Sequence, residues 1–172
     1  MFDLTGKNAI ITGSSKGIGK SIAMAMAKQG ANVVISSRKV DVCEATAEEI
    51  NNLKDEGAGK AIVIPCNISD KTALEMLVEE TRSQLGQIDI LVCNAATNPY
   101  FGSIKDITDD AFEKIMNNNI KSNHNLCQMV IPEMMERKDG SIIIVSSIGG
   151  LNASPVIGCL LYTSDAADDL LC

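Results

Sequence analysis

Thr12-Gly13-Ser14-Ser15-Lys16-Gly17-Ile18-Gly19 is the stretch of this chain whose residue types and spacing point most directly to chemistry. It follows the apolar run Asn8-Ala9-Ile10-Ile11 and opens an apolar-periodic stretch from Ile18 to Lys28. That is the strand–turn–helix context of a dinucleotide phosphate site. Glycine lets the backbone turn sharply and lets a pyrophosphate come close, because no Cβ stands in the way. The helix that follows would offer unpaired N–H groups and the positive end of its dipole to the phosphates. A tight strand-to-helix turn that holds no ligand is the plainer alternative.

Other candidates are fewer. Ser36-Ser37-Arg38-Lys39 places two cations after an apolar run, with no carboxylate before Asp41. The single histidine, His124, has no partner nearby in sequence and reads as a packing or surface residue. The cysteines at 43, 66, 93, 127, 159 and 172 form no CxxC pair. Their spacing suits neither a zinc site nor a disulfide knot, so no metal is expected. Cys66 and Cys93 read as small core residues.

The elements that must position these residues alternate regularly. Strands are expected over 7–12, 31–36, 60–66, 88–93 and 141–146. Helices are expected over 17–29, 40–56, 71–85 and from 108 to about 136, with Glu44, Glu48 and Glu49 on the wet face of the second. Asn67-Ile68-Ser69-Asp70 and Thr108-Asp109-Asp110 fall where helix N-caps belong. Asn117-Asn118-Asn119 are poor helix formers inside the last of these helices, so a local distortion is expected there. Strands regularly separated by helices give βαβ units and a doubly wound parallel sheet, Rossmann-like, in the order 3-2-1-4-5.

With 172 residues and 45% hydrophobic content the chain can bury one core. A net charge of −7 argues against nucleic acid or an anionic membrane as partner. No run approaches membrane-spanning length, and a reducing cytoplasm fits the cysteine usage.

From about Leu4 to Gly158 the chain resembles the classical short-chain dehydrogenase/reductase family. The motifs are Thr12-Gly13-(x)3-Gly17-Ile18-Gly19, Asn94-Ala95-Ala96 after the fourth strand, Asn119 in the long helix, and Ser146-Ser147 after the fifth strand. The resemblance implies an oxidoreductase that interconverts a small-molecule carbonyl and a secondary alcohol by hydride transfer, commonly as a homo-oligomer. It also implies that Gly13, Ser15, Gly17, Ile18 and Gly19 wrap the adenosine pyrophosphate. Asn67 stands where the family usually has an acid against the adenine. Asn94 lies at the carboxyl edge of the sheet, either against the cofactor, tying neighbouring strands, or both. Asn119 matches the helix asparagine of the proton relay, and Ser147 the serine that bonds the substrate oxygen, with Ser146 the alternative by one residue.

Within that resemblance, the end of the second strand selects the cofactor. A carboxylate there would favour a ribose 2′-OH. Ser37, Arg38 and nearby Lys16 suit a phosphate monoester instead, so NADP(H) is expected over NAD(H). The loop Thr97-Asn98-Pro99-Tyr100-Phe101-Gly102 could form one wall of the pocket, or be pinned to the core by its aromatics.

The resemblance then fails at a defined place. Its Tyr-x-x-x-Lys pair would fall near 160 and 164, where the sequence has Leu160 and Ser164. Tyr162 is close, yet Ala166 stands four residues later and no lysine follows Lys138. The string from Cys159 to Cys172 resembles an in-frame translation of a transposase adapter used in sequencing libraries. The expected division is therefore a partial dinucleotide-binding domain over 1–158 and a non-family, artefactual tail over 159–172. Without the pair, turnover is not expected. A non-catalytic dinucleotide-binding module, acting as a sensor or partner subunit, is the rival reading.

Overall fold

The computed structural model describes residues 3–53 and 57–147. The candidates Tyr162, Leu160 and Ser164, and the 159–172 tail, lie outside the described residues. Five parallel strands form one sheet in the order β3-β2-β1-β4-β5, as the sequence pattern requires. They are β1 (Asn8–Thr12), β2 (Asn32–Ser36), β3 (Ala61–Val63), β4 (Ile90–Cys93) and β5 (Ser141–Ile144). The helices are α1 (Gly17–Lys28), α2 (Val40–Asn51), α3 (Lys71–Leu85), α4 (Asp109–Met116) and α5 (Ser122–Arg137).

Every residue of β1 is buried, because a central parallel strand is covered on both faces. Alternate residues then feed opposite cores. Ala9, Ile11, Val33, Ile35 and Val92 pack on one face with Ala23 and Ala27 of α1 and Cys43, Ala47 and Ile50 of α2. Ile10, Val34, Leu91 and Cys93 pack on the other with Leu74, Leu77 and Val78 of α3 and Leu126, Val130 and Met134 of α5.

Several elements stop short of the expected bounds, each for a local reason. The ladder β2–β3 is irregular after Val63 because Pro65 has no N–H to give, although Ile64 and Cys66 still donate to Ile35 and Ser37 carbonyls. Helix α2 ends at Asn51, whose side-chain amide is drawn off to both backbone groups of Ala61 at 3.0 and 2.8 Å. Strand β5 ends at Ile144, with Val145 N–H still donating to Cys93. The long helix is continuous in course but passes through a π-helical stretch at Asn117–Lys121, which is the distortion the asparagines foretold. Among the described residues no helix is long and apolar enough to cross a membrane.

Burial pushes the Cys93 thiol up to about 12 and the Cys66 thiol up to about 11, with nearby Cys127 and Asp70 adding to it respectively. Both are therefore neutral in the folded chain well past neutrality. A thiol whose pKa rises on folding costs nothing below its unfolded value of 9.0 and opposes folding as pH climbs from there toward the folded value. Stability should accordingly be level through pH 8 and fall above about pH 9. Iodoacetamide at pH 8 should label both cysteines only in urea, as read by mass spectrometry; labelling of the native chain would contradict their placement.

Candidate functional site

The glycine turn is held from three sides by neutral groups. Ser14 Oγ donates to the Ile11 carbonyl at 2.7 Å and accepts the Ser36 N–H at 2.9 Å, tying the end of β1 to β2. Thr12 Oγ1 accepts the N–H groups of Asn94 and Ala95, each at 3.0 Å, tying it to β4. Thr46 on α2 donates to the Ser15 carbonyl at 3.0 Å. Asn94 Nδ2 donates to the carbonyls of Thr12 (2.9 Å) and Gly13 (3.3 Å). Asn94 thus joins the two strands, as one of its readings required.

The glycines divide into two kinds. Gly13 and Gly17 have φ of +67° and +58°, which L side chains rarely adopt. A Cβ on Gly19 would fall on the Gly13 carbonyl and lie 2.5 Å from Asn94 Nδ2. Gly19 is therefore required by the turn's own packing. A Cβ on Gly17 would meet nothing within 4 Å, so that position faces open space. The first turn of α1 has no acidic residue and no side-chain cap, whereas Asp70 caps α3 and Thr108 caps α4. The N–H groups of a helix's first turn have no partner within the helix and suit an anion.

A cleft of about 700 Å³ opens in front of this turn. Gly13, Ser15, Lys16, Gly17, Ser37, Arg38, Asn67 and Asn94 all line it. Ile18 and Gly19 do not: the Ile18 side chain is exposed and Gly19 is buried beneath the turn. Lys16 from the glycine turn, and Arg38 and Lys39 from the segment between β2 and α2, bring three cations to this cleft. Asn67 Oδ1 accepts Ser69 Oγ–H at 2.9 Å, so its oxygen is engaged within its own loop. A second concavity of similar volume lies over α4 and includes no residue of the glycine turn.

The short chain dehydrogenase family model matches residues 7–164. The chain belongs to the short-chain dehydrogenase/reductase family. It is 41% identical over 155 residues to dehydrogenase/reductase SDR family member 4 of Homo sapiens, covering 88% of this chain and 53% of that protein. It thus spans about half the length of the curated relatives it matches. Among solved structures it resembles a 7α-hydroxysteroid dehydrogenase complexed with NADH and 7-oxo glycochenodeoxycholic acid (TM-score 0.89, 33% identity, 98% of this chain and 64% of that one). It also resembles a metagenomic short-chain oxidoreductase in complex with NADP (TM-score 0.88, 27% identity, 98% and 74%).

The three asparagines of the long helix reach two neighbouring loops. Asn119 Oδ1 accepts the Thr97 N–H at 2.9 Å, and its Nδ2 donates to the Thr97 carbonyl at 3.1 Å. Asn118 Nδ2 donates to Thr97 Oγ1 at 2.8 Å, and Asn117 Nδ2 to the Ser69 carbonyl at 3.2 Å. The π turn makes this possible, because widening the helix lets three successive asparagines reach neighbouring loops. Ser146 and Ser147 follow the carboxyl end of β5, which pairs with β4 through Cys93, and both are exposed. His124 is exposed on α5, as a surface histidine should be.

Thr97, Lys114 and Asn118 also line the cleft; Thr97 belongs to the loop expected to form one wall, whereas no sequence motif assigned a role to Lys114 or Asn118. Lys114 and Asn118 stand four residues apart, the spacing that brings two side chains to one face of a helix. The loop aromatics take neither expected role. Phe101 is 76% exposed, so it is not pinned to the core, and neither it nor Tyr100 lines the cleft. Tyr100 instead donates to the Ser103 carbonyl at 2.9 Å, closing its own loop.

Proposed function

We propose that this chain binds NADP(H) in preference to NAD(H) in the cleft before the glycine turn. We further propose that the oxidoreductase it represents interconverts a small-molecule carbonyl and a secondary alcohol. The observation that carries the cofactor reading is that Lys16, from the glycine turn, and Arg38, from the segment after β2, line one cleft. Solved relatives are complexed with NADH in one case and NADP in another, so membership of the family leaves the choice to these residues. A guanidinium and an ammonium suit a 2′-phosphate, and Asp41, the first carboxylate after β2, falls inside α2.

Gly13, Ser15, Gly17, Ile18 and Gly19 would hold the pyrophosphate through backbone N–H groups, the open side of Gly17 providing the approach. Asn67 would border the base and Asn94 the nicotinamide half. The cofactor, when bound, supplies the hydride. Ser147 would orient the substrate oxygen, and Asn119 would act as a positioning residue, fixing the loop at Thr97. Leu160 and Ser164 stand where an acid–base tyrosine and its lysine would be needed, so binding without turnover is the reading for the chain as written. The same two residues favour the second reading, a dinucleotide-binding module that does no chemistry. A reducing, cytoplasmic setting agrees with free cysteines at 43, 66, 93 and 127. Homo-oligomerisation belongs to the same proposal, and the acidic balance disfavours nucleic acid.

Titration of NADPH fluorescence tests the cofactor reading. NADPH should bind at least tenfold more tightly than NADH, and Arg38→Asp should reduce NADPH affinity by ten- to a hundredfold while improving NADH. Tighter binding of NADH by the unaltered chain would overturn the assignment. Incubation with NADPH and a carbonyl panel separates the two functional readings, since turnover excludes the non-catalytic one.

A further inference from the structure

Asn118 is 4% exposed, lines the cleft, and leaves its Oδ1 without a hydrogen-bond partner. A buried acceptor left unpaired costs free energy that a matching donor recovers. Its amide is held by Nδ2 on Thr97 Oγ1, so the oxygen is the part left over. That oxygen is shut off from solvent on a residue that lines the cleft, and the terminal torsion of an amide side chain is soft.

The neighbourhood says which ligand group it meets. Asn117, the preceding residue, bonds the Ser69 carbonyl, and Asn118 itself bonds Thr97. Asn118 therefore sits where the 66–69 loop and the 94–97 loop converge, both of which line the cleft, the first with Asn67 and Ile68. Asn67 stands where the family places an acid, yet its oxygen already accepts both the Ser69 hydroxyl at 2.9 Å and the Ser69 N–H at 3.4 Å. What Asn67 has left to offer is an N–H donor. An adenine presents there one exocyclic amino group, a donor, beside ring nitrogens that accept. The donor of Asn67 suits a ring nitrogen, and the amino group still needs an acceptor.

Resting on the cofactor reading above, we propose that Asn118 Oδ1 is the acceptor that reads the exocyclic amino group of the cofactor's purine. Asn118 is then a specificity-determining residue that takes over the acceptor role usually sought at position 67.

The test uses NADPH and its hypoxanthine analogue, in which a carbonyl replaces the amino group, with equilibrium binding followed by fluorescence or calorimetry. The unaltered chain should bind NADPH about tenfold more tightly than the analogue. Asn118→Leu should bring that ratio close to one. Thr97→Val breaks the same side-chain bond but keeps the acceptor, so the ratio should survive even where affinity falls. Asn118→Ala, which also lacks an acceptor, serves if the leucine variant does not fold, and should also lose the ratio. Equal binding of both dinucleotides by the unaltered chain, or an undiminished ratio in the Asn118 variants, overturns the assignment while leaving the cofactor reading standing. Failure of the folded chain to bind either dinucleotide overturns both.

Discussion

Gly19→Ala is expected to lose dinucleotide binding and to destabilise the fold by about 3 kcal/mol, the upper end of the cost of forcing a methyl into packed structure. The methyl would strike the Gly13 carbonyl and press on Asn94 Nδ2, atoms that already hydrogen-bond to each other at 3.3 Å. Neither can yield cheaply, since Gly13 is backbone and Asn94 also bonds Thr12. Gly17→Ala is the informative companion. Its methyl meets nothing within 4 Å, so the only structural cost is the positive φ, about 1 kcal/mol. It nonetheless occupies the open side of the turn and should abolish detectable NADPH binding. Urea denaturation and NADPH titration of both variants decide the point. A Gly17→Ala chain that binds normally would show that the open side of this turn is not where phosphates approach.

The two glycines also show what could be read from the sequence. Their spacing announces a turn between a strand and a helix, because backbone conformation depends on local residue type. The division of labour between them is tertiary: it depends on Asn94 arriving from β4, more than seventy residues away. The same holds on the long helix. Three consecutive asparagines foretell a weak helix, and a π stretch is found there. That they reach out to Ser69 and Thr97, and leave one oxygen unpaired at the cleft, follows only from which loops lie beside them. Strand order was legible for the opposite reason. Buried parallel strands and right-handed crossovers leave few ways to arrange five βα units. The loop at Tyr100 and Phe101 was not legible, because an exposed aromatic and a buried one carry the same local signal.

Asp89→Ala should destabilise the chain by about 3–5 kcal/mol while leaving NADPH affinity of the folded fraction unchanged. Asp89 lies just before β4, is 2% exposed, and accepts the Asn8 N–H at 2.9 Å and Gln87 Nε2 at 2.8 Å. Arg137 stands 3.9 Å from it and also donates to the Ile88 carbonyl. Lys7 is 3.6 Å away but more exposed, and its pKa is raised first by Asp139 and only then by Asp89, so that pair adds little. Removing the carboxylate leaves Asn8's N–H unpaired and Arg137 with less countercharge, and a buried group without its partner is the costly case. Asp89→Asn keeps an acceptor for Asn8 and loses only the charge, so its penalty should be about half as large. Both changes act at the amino ends of β1 and β4, roughly 16 Å along a five-residue strand from the glycine turn. Urea midpoints should therefore fall for the Asp89 variants with binding intact, whereas Gly17→Ala should lose binding with its midpoint nearly kept. A drop in NADPH affinity for Asp89→Asn at 1 kcal/mol or more would mean that the ion pairs at the foot of the sheet are coupled to the cleft at its top.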